Sequence, residues 1–196
     1  MDVVLGVTGK GYAMVLTDMT SNRSIFSLKH DEDKAAMVDE RKVLACGGDQ
    51  ASRSQFTEYV SKNFALTALR TGLEMSNHAA AHFVRNELAR AIRARGGPHQ
   101  ANSILAGVDH EGPAMYYLDY LGTMAKVDYA AQGYCGYFSL SLMDKNWKRN
   151  MTKEEGRDLL LMCIDQLRAR FIINSTRYKL IVVDETGKSA EEIIEP

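Results

Sequence analysis

His78 and His82 stand four residues apart, a spacing that puts two imidazoles on one face of a helix, as zinc ligands would be. The residues between them are Ala79, Ala80 and Ala81, so the general-base glutamate of the HExxH pattern is absent, and with Glu87 downstream no third ligand is implied. A partly exposed helix face is the stronger reading, and no metal or other cofactor is expected. Gly9-Lys10-Gly11 lacks the GxxxxGK[ST] spacing of a phosphate loop and is followed by a strand pattern rather than a helix, which makes it a turn. Ser139, Ser141 and the three cysteines, Cys46, Cys135 and Cys163, could in principle be nucleophiles with one of the five histidines, but none sits in a GxSxG elbow or a comparable local signature. Arg85, Arg90, Arg93 and Arg95 cluster on one stretch, where a solvated or partner-facing surface outweighs an anion site.

The elements that carry these residues begin at once. Val3 to Val7 and Tyr12 to Leu16 are nearly continuous apolar runs joined through glycines, the pattern of a β-hairpin covered on both faces. A polar stretch leads into Ile25 to Leu28, a strand ending in the charged cluster Lys29 to Lys34, as suits an edge or a loop near a subunit boundary. Ala35 to Val38 and Val43 to Cys46 flank Asp39-Glu40-Arg41 as a second hairpin, closed by Gly47-Gly48. The period then changes: Phe56, Val60 and Phe64 mark one helix, ending near Thr71-Gly72. A second starts at a Ser76 cap and places Ala80, Val84, Leu88 and Ile92 on one face, ending before Gly96-Gly97-Pro98. Strands return at Ser103 to Val108, Ala114 to Tyr120 and Met124 to Tyr129. The glycine-rich Ala130 to Gly136 leads into a third helix, Tyr137 to Met143. Thr152 to Glu155 fits a capping box for a fourth, with Leu160, Cys163, Ile164, Leu167 and Phe171 as its buried stripe. Tyr178 to Val183 closes the fold as a strand, followed by a turn and an acidic tail, Lys188 to Pro196, expected to be ordered only against a partner. This order predicts an α+β sandwich, helices outside and two sheets within.

Composition narrows the function. The 196 residues suffice for a single domain with one sizeable core, which buries roughly 70% of the unfolded surface. Basic and acidic residues number 24 and 25, a net charge of -1, so neither nucleic acid nor an anionic membrane is favoured as a partner. The odd, dispersed cysteines read as reduced core residues, and neither a signal peptide nor an apolar run of about 18 residues is apparent; cytoplasm and nucleus are the default compartments.

Several stretches resemble proteasome β-type subunits: the opening hairpin ending in Asp18, Lys34 sixteen residues later, Gly47-Gly48, then Leu105 to Tyr120 and Gly133 to Asp144. The likeness runs along almost the whole chain and is greatest to the non-catalytic kind at the fourth position of the eukaryotic β ring, made without an N-terminal propeptide. It implies a four-layer αββα sandwich of two antiparallel sheets between helix layers, the N-terminal nucleophile hydrolase fold. Active members use an N-terminal threonine whose hydroxyl attacks and whose α-amine serves as base. The place of that threonine falls on Asp2, which offers neither hydroxyl nor thiol and carries Met1 ahead of it. Asp18, Lys34 and Gly48 align with the catalytic supports; Gly136 replaces a serine, and Phe171 and Asn174 replace an aspartate and a serine. Loss of peptidase activity follows, with Asp18 and Lys34 kept as a buried ion pair holding the first sheet together.

The resemblance further implies a structural role, walling the proteolytic chamber among α and β subunits and positioning the catalytic β subunit in the fifth place. The stretch Arg23, Ile25, Phe26, Leu28 and Lys29 is a candidate lateral interface. The rival readings are an active N-terminal threonine peptidase, an α-type subunit, which would need a helix ahead of the first strand, and a free-standing binding domain.

Overall fold

The computed structural model describes residues 2–23, 26–171 and 174–196. β1 (Val4–Gly9) and β2 (Tyr12–Asp18) form the opening hairpin, with every residue of β2 buried. The small hairpin β3 (Ser21–Arg23) and β4 (Phe26–Lys29) stands apart from both main sheets. β5 (Ala35–Asp39) and β6 (Lys42–Gly48) follow as expected. Two helices then run in succession, α1 (Gln50–Thr71) and α2 (Asn77–Ala91). Next come β7 (Ala101–Asp109), β8 (Gly112–Leu118), β9 (Met124–Val127) and β10 (Tyr129–Gln132). A short 3-10 turn leads into α3 (Gly136–Asn146), then α4 (Lys153–Arg170), β11 (Tyr178–Asp184) and β12 (Gly187–Ile194).

The strands form two five-stranded antiparallel sheets, in the orders β10-β1-β2-β11-β12 and β5-β6-β7-β8-β9. They stack face to face, and the nearly unbroken apolar runs now have their reason. Leu5, Val7, Met14 and Leu16 point to α3 and α4, where they meet Leu160, Cys163, Ile164 and Leu167. The alternate residues Val4, Ala13 and Val15 point the other way, against Val43, Ala45, Ile104 and Met115 of the second sheet. Leu44, Cys46 and Leu105 on that sheet's far side receive Phe56, Val60 and Phe64 of α1 and Val84 and Leu88 of α2. The result is the expected αββα sandwich: two helices, two sheets, two helices.

The helix ends are fixed by their caps. Asp49 accepts from the Ser52 N–H to start α1, which ends on Gly72 in the left-handed region. Ser76 caps α2, and Thr152 with Glu155 forms the capping box of α4. The Tyr12 hydroxyl donates to the Thr152 carbonyl at 2.7 Å, pinning that cap to the hairpin.

Five expectations are corrected. Met124 to Tyr129 is not one strand: β9 pairs with β8 and β10 with β1, so the chain changes sheet at Asp128, whose carbonyl accepts from the Thr8 N–H at 2.8 Å. The acidic tail is largely a strand. Residues 187–194 are β12, laddered on β11 and held by Arg157–Glu192 at 2.6 Å and Lys179–Glu191 at 3.1 Å, so it needs no outside partner for order. Ile92 caps α2 and is exposed, one residue beyond the buried stripe. Phe171 is half-buried in extended backbone after α4, edge-on to Phe138, and does not continue the helical stripe. Lys34 and Asp18 lie in different sheets' chains, so their pair joins the two layers rather than bracing one. Among the described residues no helix is long and apolar enough to cross a membrane.

Phe56 is fully buried between α1 and the second sheet. Phe56→Ala is expected to cost about 3–5 kcal/mol of unfolding free energy, read from the midpoint shift in urea denaturation.

Candidate functional site

Lys34 sits just before β5, its ammonium wholly enclosed beneath the start of β1. It donates to both carboxylate oxygens of Asp18, at 2.9 and 2.8 Å, to Asp2 Oδ1 at 2.6 Å and to the Thr20 carbonyl at 2.8 Å. Three N–H groups thus serve four oxygens, one of them forked across Asp18. Asp18 also accepts from the Val3 N–H at 2.7 Å and the Thr20 N–H at 3.2 Å, so the end of β2 holds both the chain entering β1 and the chain leaving toward β3.

Asp2 lies at the mouth of this cluster. Its second oxygen accepts from the Gly48 N–H at 2.7 Å, and the Arg53 guanidinium stands 3.7 Å from the first. Gly48 has φ +126°, and a Cβ there would run into the Gln100 carbonyl; only glycine presents its N–H this way. Arg53 in turn donates to Glu32 at 2.7 Å. Two clefts open on either side of Asp2. One of about 470 Å³ is lined by Ser21, Asn22, Leu28, Gln50 and Arg53, and one of about 210 Å³ by Val4, Gly47, Asn102, Gln132 and Tyr134.

The two carboxyls titrate in opposite senses. Burial pushes Asp2 up, but the Lys34 charge and hydrogen bond, the Gly48 N–H and Arg53 outweigh it and hold the group below its ordinary 3.8. Asp18 lies deeper, and burial carries it above 3.8 against the pull of Lys34 and the Val3 N–H, with the negative charge of Asp2 adding to the rise.

Asp2, Asp18, Lys34 and Gly48 are thus gathered in one place, whereas the contacts of Gly136, Phe171 and Asn174 are with Ala131, Phe138 and Arg168. Gly136 opens α3 against the Ala131 carbonyl; the part of its segment that approaches Asp2 is Gly133, where a Cβ would lie 3.1 Å from the Asp2 carbonyl. Asn174 is exposed and donates to the Arg168 carbonyl at 3.2 Å. Its neighbour Ser175 reaches the cluster instead, hydrogen-bonded at 2.7 Å to the Thr20 hydroxyl. Sequence reasoning missed Arg53, although a signal was present: it lies three residues before Phe56 on the apolar face of α1, where an arginine needs a buried partner. Of the interface candidates, Phe26 and Leu28 are 67% and 64% exposed on β4, Lys29 pairs with Glu32, Arg23 pairs with Phe26 in the ladder, and Ile25 lies outside the described residues.

Other nucleophiles fare poorly. Burial pushes the Cys46 and Cys163 thiols up to about 11 and Cys135 to about 12, which suppresses the reactive thiolate. Ser139 is fully buried, and Ser141 donates to the Phe138 carbonyl of its own helix.

A sandwich of this order, with a lysine–aspartate pair beneath the first residues of β1, defines an N-terminal nucleophile hydrolase scaffold. Residues 2–183 match the family model described as proteasome subunit, and the chain belongs to that family. It is similar to proteasome subunit beta type-2-B of Arabidopsis thaliana, 42% identical over 188 residues covering 95% of this chain and 94% of the relative. It is likewise 41% identical over 191 residues to proteasome subunit beta type-2 of Dictyostelium discoideum, covering 95% of each. To proteasome subunit beta type-4 of Saccharomyces cerevisiae it is 34% identical over 189 residues, again 95% of each.

The cluster has two measurable consequences. Lys34→Met leaves the Asp18 carboxylate enclosed without its cation, and is expected to cost about 3–5 kcal/mol of stability in chemical denaturation. Asp2 is depressed in the folded state, so its ionised form contributes stability that is present above pH 3.8 and lost as pH falls through the folded value. Asp18, being raised, contributes with the opposite sign over the range just above 3.8. Asp2→Asn is therefore expected to flatten the acid-side fall in the urea midpoint as the pH drops below 3.8; a profile unchanged from the wild type would contradict this.

Proposed function

We propose that the chain is a non-catalytic β subunit of the 20S proteasome core particle, at the fourth position of the β ring. Its work is architectural: it walls the chamber and supports neighbouring catalytic subunits, among them the β subunit in the fifth place, in ubiquitin-dependent protein degradation in cytoplasm and nucleus. The observation that carries this reading is the chemistry of Asp2. Active members of the family need a hydroxyl or thiol at this position, and Asp2 presents a carboxylate whose oxygens are already engaged by Lys34 and the Gly48 N–H. A carboxylate engaged in this way is a structural ligand.

The surface supports an assembly role. Leu69 in the last turn of α1 and Leu73 just past its Gly72 cap are both strongly exposed and suit the α-ring side; Tyr134 and Tyr137 around the start of α3 suit contact with the opposite β ring. Phe26 and Leu28 on β4 suit a lateral neighbour. A net charge of -1 gives no attraction to nucleic acid or an anionic membrane.

Two experiments test the reading. A threonine-directed covalent probe applied to the purified particle is expected to leave the intact mass of this chain unchanged while labelling other subunits; an adduct on this chain would overturn the proposal. Phe26→Asp is expected to lower the yield of assembled particle, or the fifth-position peptidase activity, several-fold in a tagged purification, and full assembly with normal turnover would remove the hairpin from the interface.

A further inference from the structure

We propose that His78 and His82 form a two-imidazole binding site for a divalent first-row transition metal, copper(II) in preference to zinc(II). The catalytic-zinc pattern is absent, as the intervening alanines show, yet the spacing brings the two imidazole rings side by side. Residues four apart on a helix have Cβ atoms about 5–6 Å apart on one face, and here the two rings stand with centroids 4.4 Å apart and planes inclined by 56°. Both residues are exposed, so a hydrated ion can reach them.

The pair is carried on a firmly held element. α2 is capped by Ser76 and anchored by Ala80, Ala81, Val84 and Leu88, which are wholly buried. A rigid helix face lowers the ordering cost of holding two ligands together, which is what distinguishes a chelate from two independent histidines. The nearest downstream cation, Arg85, is directed elsewhere: its Nε donates to the Gly122 carbonyl at 2.9 Å and an Nη to Asn86 at 3.3 Å. No third histidine, cysteine or carboxylate joins the two among the described residues, so water completes the coordination sphere. Imidazole nitrogens suit copper, nickel and zinc, and the Irving–Williams order places copper(II) first.

The test is titration of the purified full chain with copper(II) alone and zinc(II) alone, followed by calorimetry and by electron paramagnetic resonance for copper. The expected result is a site whose copper spectrum shows two nitrogen ligands. His78→Ala and His82→Ala are each expected to weaken it at least about tenfold, a loss of about 1.4 kcal/mol. His110→Ala, at another exposed histidine, is expected to leave it intact. Because both residues are exposed, circular dichroism of the variants should match the wild type. Copper binding that persists in His78→Ala and His82→Ala, or a spectrum without paired nitrogen ligation in the wild type, overturns the proposal.

Discussion

A single buried ammonium sets the terms for the rest of the structure. Lys34 leaves the solvent entirely, and a lysine does so only when each of its protons has an acceptor. The acceptors come from the residue entering β1, the last residue of β2 and the backbone just past it, while the lysine itself leads into β5 of the other sheet. The hydrogen bonds that neutralise this charge are therefore also the ones that fix how the two sheets meet at this end. Moving either sheet by an ångström would leave a donor or a carboxylate oxygen unpaired in a place water does not reach.

The sequence made the alternation between layers readable because β1, β2, β6 and β7 are apolar on both faces, and only stacked layers cover both. The helices were legible from Phe56, Val60 and Phe64, from the Ser76 cap and from the Thr152 capping box, each a local signal. What escaped is non-local. Nothing in Met124 to Tyr129 marks Asp128 as the point where the chain changes sheet, since the choice rests on Thr8, some 120 residues away. The C-terminal strand looked like a solvated tail because its charges are numerous, and their partners Arg157 and Lys179 lie on other elements. Phe171 and Ile92 each sit one step beyond the end of a helix, where a periodic reading has no means of stopping.

The cluster around Asp2 was legible as separate residues and not as a network. Asp18 and Lys34 were visible from their places beside the hairpin, but Arg53, Glu32, Thr20 and Ser175 enter only through the fold. Together they form one network of charges and backbone donors centred on Asp2. The Gly48 N–H and two cations converge on a point, and a side-chain carboxylate fills it. Positive groups arranged around one position are equally well satisfied by a resident anion as by charge that develops during a reaction.

The single-residue passage at Asp128 has a mechanical corollary. With β9 in one layer and β10 in the other, the chain has no slack there, so neither layer can peel away without drawing its counterpart's edge along. Amide protons on both edges of that seam should consequently exchange with solvent through one shared opening rather than two separate ones, making the sandwich a single cooperative unit in which local breathing is confined to the hairpin and the helix ends.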